Sequence, residues 1–529
     1  MAKNTIQKPA AKTVTKAVDL DVLLHKYFWL VIPVLAIIYY LVSKSSTGFY
    51  QDDEMGHYLN MREFWTNPSI ILGNWPKTGY KLFMALPVLL GYNGVIFFNG
   101  LIASLAVYMT YVVLREYKIK YAFFGALILA VQPLYFDLSF RSYAEIFSGL
   151  LFLLVIYFYK KDKLFIAGLI CGYIFTVRQE VALIAIVLAV MFAMRKNFLA
   201  IISLGVFPLL YMLWGYVHSG DPMFIINEMK NLGDMDFGGA NRGFIHYFKV
   251  YIFIIGPVCL ALFLSGYFGF IGKDIKEYLK RFDLIYVIFT LMFLIQVALM
   301  LKGTNPGTWR YILPISPLAA FFATVGLNNI VEKKFRTIHY SITGGLVLIT
   351  LAFLSYKTNG LDLLEVSEYS KLLFLAAFFG LTIIIGTSDA RSYLNKVAIG
   401  AVLLSAIYLG MNYEPRKLNP ENEAVAKIGE YVNTPELKDK NVYYTNSTIL
   451  FFGDIYGERN KKFTTLTMDA LSKAPKGSII IWDTHYGYRP EYKKDVKLEV
   501  LQDTTNYKPL TQFMSTDRRF AAYSFEKLN

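Results

Sequence analysis

Only 17% of the 529 residues are charged, and only two are cysteine. The shortage of charge excludes a soluble globular chain, because too little polar material remains to cover a surface at this length. The shortage of cysteine excludes a disulfide framework and a thiolate zinc site; Cys171 and Cys259 both sit inside apolar blocks, as small packing residues do. No internal repeat runs along the chain. The net charge of +14 does not indicate nucleic acid either. Its Lys and Arg come in short clusters between apolar blocks, the pattern of topology signals and contacts with membrane lipids.

What is abundant is apolar. Hydrophobic residues make up 55%, with 42 Phe and 39 Tyr. They fall in blocks of about 17–25 residues, the length that crosses hydrocarbon as a helix. The expectation is about thirteen spans, at 27–43, 94–114, 121–137, 142–159, 164–177, 179–194, 198–217, 248–271, 283–301, 311–331, 338–356, 371–387 and 394–411. The first block lacks a small-x-small cleavage site and reads as an uncleaved anchor. The basic tail 1–26 and every second loop after it ("REYKIK", "KKDK", "RK", "GKDIKEYLKR", "EKKFR") are cytoplasmic by the positive-inside rule. The opposite loops, of which 44–93 and 218–247 are the longest, then face outward.

An odd number of spans puts the chain beyond 412 outside as well, and there its character changes. Residues 422–432 read as a helix, while "NVYYTN", "GSIIIWDTHY", "KLEVLQD" and "RFAAYSFEK" read as strands. The expected architecture is an all-α polytopic membrane domain over 27–411, followed by an extracytoplasmic α/β domain over 412–529 with no phosphate-cradling glycine loop.

The unusual residues gather on the outward side. Asp52, Asp53, Glu54 and His57 lie in the first outer loop, and Arg141 with Glu145 stands at the outer end of the fourth span. Arg178 and Glu180 occupy the next outer turn, Asp234, Asp236 and Arg242 the loop 218–247, and Arg310 starts the tenth span. Ionisable groups at membrane depth are costly, so they face a polar cavity and a partner. Carboxylates and arginines around one interfacial cavity suit a substrate with both a hydroxyl and a phosphate. Each residue also has an ordinary reading. The acidic triplet reads as a solvated loop, Arg141–Glu145 as an i,i+4 helix pair, Arg310 as a snorkelling anchor, and His57 as a plain hydrogen-bonding group. Residues 55–72 look like an amphipathic helix, and the short apolar run 80–91 looks interfacial.

These residues resemble a family. "QDDE" in the first outer loop is similar to the Asp-Glu signature of the GT-C superfamily of integral-membrane glycosyltransferases, including lipid-linked mannosyltransferases and protein O-mannosyltransferase and aminoarabinose transferase relatives. "SFRSYAEIF", "FTVRQEVAL" and "WRYILPISP" resemble arginine-bearing helix starts of the mannosyltransferases, although their His-Lys-Glu before the last arginine is "NPGTW" here. The resemblance covers roughly 27–330 and implies transfer of a hexose from a polyprenyl-phosphate donor to a glycan, lipid or protein acceptor. Aligning "DE" puts the general base at Asp53, with Asp52 in reserve and Glu54 orienting it. Arg141, Arg178 and Arg310 would stabilise the leaving phosphate, with Glu145 and His57 also contacting substrate. Asp52, Asp53 and Asp236 offer hard oxygens to a divalent cation, but the resemblance favours no cofactor. It fits a bacterial inner membrane, with an ER membrane as the alternative location. A transporter or flippase, and an envelope polysaccharide polymerase or ligase acting through 218–247, are the competing functions.

Overall fold

Apolar blocks with few interior charges become helices because each backbone polar group must find its partner within the segment when water is absent. In the computed structural model, residues 25–529 are described except 74, 234–236, 273–274, 332–335, 359–362, 388–393 and 491–493. Most of the basic tail, the "EKKFR" loop through Phe335, and Asp234 and Asp236 therefore lie outside the described residues.

Among the described residues, six helices are long and apolar enough to cross a membrane: His25–Ser45, Pro87–Glu116, Phe198–Ser219, Asp283–Leu301, Trp309–Ile330 and Thr337–Leu354. A seventh candidate is the pair His246–Ile255 and Pro257–Ile271, bent by 116°. Shorter apolar helices, Leu164–Val177, Gln179–Met194, Ser370–Ile384 and Lys396–Asn412, occupy four more of the expected blocks. The chain is a multi-pass membrane protein, with the blocks where hydropathy places them and the number of full crossings below the expected thirteen by length alone. Two expected spans are broken. The block 121–137 divides into Ala122–Ala130 and Pro133–Leu138, and 248–271 turns at Gly256 (φ +83°) before Pro257. Proline lacks the N–H that would continue a helix, so each break falls immediately before one.

Two helices of the core approach closely through small residues. A Cβ added at Gly266 would lie 1.8 Å from the Phe322 carbonyl oxygen, and one at Gly326 would lie 2.1 Å from that of Leu262. Helices Pro257–Tyr267 and Ser316–Val331 thus meet backbone to backbone, as membrane helices do where glycine permits. Other helices turn bare apolar surface outward: Leu209, Leu210, Leu213 and Val217 are all more than half exposed, a face made for hydrocarbon.

The first outer loop is a string of short pieces. Its helix starts at the acids themselves, Asp52–Glu63, with a capping box between Gln51 and Glu54. The single amphipathic helix expected over 55–72 stops there, and a 3-10 turn, Pro68–Ile71, follows. Helix Thr78–Met84 and the turn Pro87–Leu90 then carry exposed Leu82, Phe83, Leu86, Leu89 and Leu90, as an interfacial segment would.

Strands β1 (Tyr356–Thr358) and β2 (Leu363–Ser367) pair antiparallel in the connection after Thr337–Leu354. The tail holds helix Pro420–Tyr431 and a five-stranded sheet, ordered β4-β3-β5-β7-β6. Its strands are β3 (Val442–Tyr444), β4 (Phe463–Thr465), β5 (Ile479–Asp483), β6 (Tyr507–Met514) and β7 (Ala521–Lys527). The expected strand in "KLEVLQD" is instead a helical turn, Leu498–Leu501, with Leu498 and Leu501 three apart on one face. Strand β6 is an exposed edge whose register shifts between Pro509 and Thr511, the place in a sheet where proline is tolerated.

The sheet domain docks on the first outer loop. Phe451 packs in an aromatic cluster with Phe49, Tyr58 and Tyr92, and Arg62 pairs with Asp454 at 2.7 Å. The tail and Asp53 therefore lie on the same side of the helical domain.

Candidate active site

Helix ends place the charged residues. Asp53 is in the first turn of helix Asp52–Glu63, and Glu145 is in the first turn of helix Ala144–Lys160. Carboxylates are favoured at helix N-termini, where backbone N–H groups point outward unpaired. Arg178 has extended backbone (φ −144°, ψ 105°) at the break after helix Leu164–Val177, and Arg310 lies in the 3-10 turn Trp309–Ile315.

These four side chains form one chain of ion pairs. Arg310 Nη2 meets Asp53 Oδ2, Arg310 Nε lies 3.8 Å from Glu145 Oε1, and Arg178 Nη1 lies 3.1 Å from the same oxygen. Arg178 also holds Glu180 at 2.6 Å, and Gln296 donates to Glu180 at 3.0 Å. Arg310 sits over the Tyr143 ring at 4.3 Å. Of the three carboxylates Asp53, Glu54 and Glu145, Asp53 is the open one, with 37% of its side chain exposed against 6% for Glu145 and 0% for Glu54.

Glu54 and Arg141 belong to a second, buried group. Glu54 Oε2 accepts from the backbone N–H groups of Tyr50 (3.0 Å) and Gln51 (3.2 Å). Arg141 lies 3.9 Å from Glu54 and 3.3 Å from Asp137, and donates to the Gly48 carbonyl. Arg416 closes the group on Asp137 at 3.1 Å. Burial pushes the Glu54 carboxyl up to about 7, against the opposing pull of Arg141 and the two backbone donors. The pair expected between Arg141 and Glu145 is not formed: their ion-pair partners are Glu54 and Asp137 for the first, Arg178 and Arg310 for the second. The helix starts only at Ala144, so the two residues are not on adjacent helical turns.

Two crystal structures of ArnT from Cupriavidus metallidurans are similar to this chain over most of its length. The one bound to undecaprenyl phosphate has a TM-score of 0.57 at 11% identity, covering 94% of this chain and 98% of that one. The apo structure has a TM-score of 0.56 at 10% identity with the same coverage. The chain has an ArnT-like fold. No protein-family model and no curated protein matches the sequence.

Within this fold, the first outer loop adds two cations that the sequence reading did not single out. Lys77 takes a left-handed backbone (φ +56°) before helix Thr78–Met84, and Lys81 is fully buried within that helix. Gly79 lets the helix lie against the end of Leu164–Val177, since a Cβ there would come 2.2 Å from Thr176 Oγ1. Lys81 Nζ lies 5.0 Å from the Trp75 ring, which His57 stacks at 4.9 Å. Burial, with Lys81, Arg310 and Lys77 adding positive charge nearby, holds His57 well below the usual imidazole range, and its Nδ1 has no hydrogen-bond partner. Burial also lowers Lys77, and lowers Lys81 well below the usual amine range, with Lys77 adding to the effect on Lys81. Among the described residues neither lysine is ion-paired, whereas Arg141, Arg178 and Arg310 all are. A signal was present: "PKTGYK" places two cations in an outward loop, against the positive-inside trend.

Asp52 faces away from this cluster. Its oxygens accept from Tyr486 Oη at 2.9 Å and Asn422 Nδ2 at 3.1 Å, both in the tail. Arg242 donates to the Pro306 carbonyl at 2.8 Å.

Proposed function

We propose that this protein is a membrane glycosyltransferase that moves a hexose, mannose being one candidate, from a polyprenyl-phosphate-linked donor to a hydroxyl of an extracytoplasmic glycan, lipid or protein. The observation that carries the reading is one open carboxylate, Asp53, joined through Arg310 to a cluster beside half-buried Lys77 and buried Lys81, neither of which is ion-paired among the described residues. Charged groups here meet at helix ends on one side, which supports a catalyst over a transporter or flippase.

Asp53 accepts the acceptor's proton as the hydroxyl oxygen bonds to the anomeric carbon. The carbon–oxygen bond to phosphate breaks on the opposite face, polyprenyl phosphate leaves with the electron pair, and the configuration inverts. Lys77 and Lys81 take up the charge on the departing phosphate, because cations that make no ion pair among the described residues keep their field for the ligand, and Arg310, paired with Asp53, adds its charge beside them. Arg178, held between Glu145 and Glu180, fixes the acid that backs Arg310. Arg141, saturated by Glu54, Asp137 and Gly48, sets the loop. No step is routed through a metal. The bacterial inner membrane, with the cluster facing outward, is the location that fits.

Purified protein in nanodiscs, offered a panel of polyprenyl-phosphate hexoses, should release polyprenyl phosphate from one of them in the presence of a hydroxyl acceptor. Movement of the intact lipid-linked sugar between leaflets without cleavage would instead establish the carrier.

A further inference from the structure

The tail touches the first outer loop beside the proposed base, and it does so with ligating chemistry. Glu421 is in the first turn of helix Pro420–Tyr431, and His485 follows strand β5 in a turn whose backbone N–H groups, at His485 (2.9 Å) and Tyr486 (2.7 Å), donate to buried Asp483. Both rigid points close on Asp52. One ligand atom each from Asp52, Glu421 and His485 lies within 4.8 Å of the others, with Glu421 Oε1 2.6 Å from His485 Nδ1.

A second observation points to an ion at this junction. Asn422 is fully buried, its amide nitrogen lies 3.1 Å from Asp52 Oδ1, and its Oδ1 has no hydrogen-bond partner. A buried amide oxygen without a donor is costly, and this one belongs to the side chain whose nitrogen holds Asp52 Oδ1 and the Tyr50 carbonyl.

We propose that Asp52, Glu421 and His485 form a binding site for a first-row divalent metal ion, of the zinc or manganese class, that locks the tail domain to the helix bearing Asp53. The donor set argues for that class. An imidazole with two carboxylates suits zinc or manganese, whereas magnesium and calcium prefer oxygen alone. Ligands about 2.1 Å from a shared zinc ion sit about 3.4 Å apart in a tetrahedron, so modest side-chain rotations within the observed spread suffice. The ion replaces the proton between Glu421 and His485, and Tyr486 and Asn422 hold Asp52 from outside. Asp53, the next residue, keeps its place on Arg310. The ion is a positioning element and does not touch the reacting atoms. This site stands apart from the sugar-transfer reading, since metal binding is measured without turnover.

Full-length protein in detergent is stripped with a chelator, equilibrated separately with zinc, manganese and magnesium chlorides, desalted, and measured by inductively coupled plasma mass spectrometry. One equivalent of zinc or manganese should remain per chain, and Glu421→Gln and His485→Ala should each lose it. The thermal midpoint of the parent should rise with the retained metal and that of Glu421→Gln should not. Substoichiometric retention, equal retention by both variants, or magnesium held as well as zinc would overturn the site. Because Glu421→Gln is isosteric, its circular dichroism spectrum should match the parent, and a misfolded Glu421→Gln with no metal in the parent would count against the proposal equally.

Discussion

The Asp53 carboxylate and the Arg310 guanidinium are ion-paired across 257 residues of sequence, joining the first outer loop to the start of a late span. The pair puts a half-open carboxylate and a half-buried cation on one spot. Glu145 bridges from Arg310 to Arg178, so loosening either end shifts the other.

The unpaired lysines carry a prediction about the donor. A hydrogen bond to a charged group contributes about 1.5–3 kcal/mol. Lys81→Met or Lys77→Met should therefore raise the KM for a polyprenyl-phosphate sugar by about 10–100-fold, with kcat changed far less. Michaelis–Menten kinetics on both variants check it. A fall in kcat at unchanged KM would remove the lysines from donor binding.

A pH effect follows from the same lysine. Lys81 faces Lys77, Asp53, the Trp75 ring and the Asn60 amide, and burial followed by the Lys77 charge lowers it well below 10.5. A lowered amine pKa means that the ammonium is lost at lower pH than usual as pH rises. The donor's phosphodiester stays anionic throughout, so donor KM should climb with alkaline pH at a midpoint below 10.5. In Lys81→Met that climb should vanish. A parent profile flat to the ordinary lysine range would contradict the buried charge.

Arg141 should behave differently from the lysines. Its side chain is fully buried between Glu54 and Asp137. Removing one partner of a buried ion pair strands the other, at about 3–5 kcal/mol. Arg141→Met should lower the thermal unfolding midpoint in detergent markedly, while donor KM in the surviving folded fraction stays near the parent value. A stable variant with raised KM would make Arg141 a phosphate ligand.

Much of this site is legible from the chain alone. The alternation of Lys and Arg between apolar blocks puts Asp53, Glu145, Arg178 and Arg310 on one side, and helix termini then bring them together. Pairing is not legible: Arg141 and Glu145 have helical spacing, but the helix begins between them and each finds other partners. The burial of Lys81 is not legible either, because it depends on Gly79 docking against Thr176, about a hundred residues away in the chain. Asp52's contacts with Asn422 and Tyr486 span 370 and 434 residues, beyond any local pattern. Pro509 hid strand β6, since proline reads against a strand everywhere except at an edge.

The most direct test of the central claim is Asp53→Asn, which keeps the side chain's shape and removes its ability to take a proton. With the turned-over polyprenyl-phosphate hexose, single-turnover transfer should fall by about two to four orders of magnitude, the usual contribution of a general base. Donor affinity, measured by equilibrium binding on the same preparation, should stay within a few-fold of the parent. Near-normal transfer by Asp53→Asn would contradict the account and move the base elsewhere.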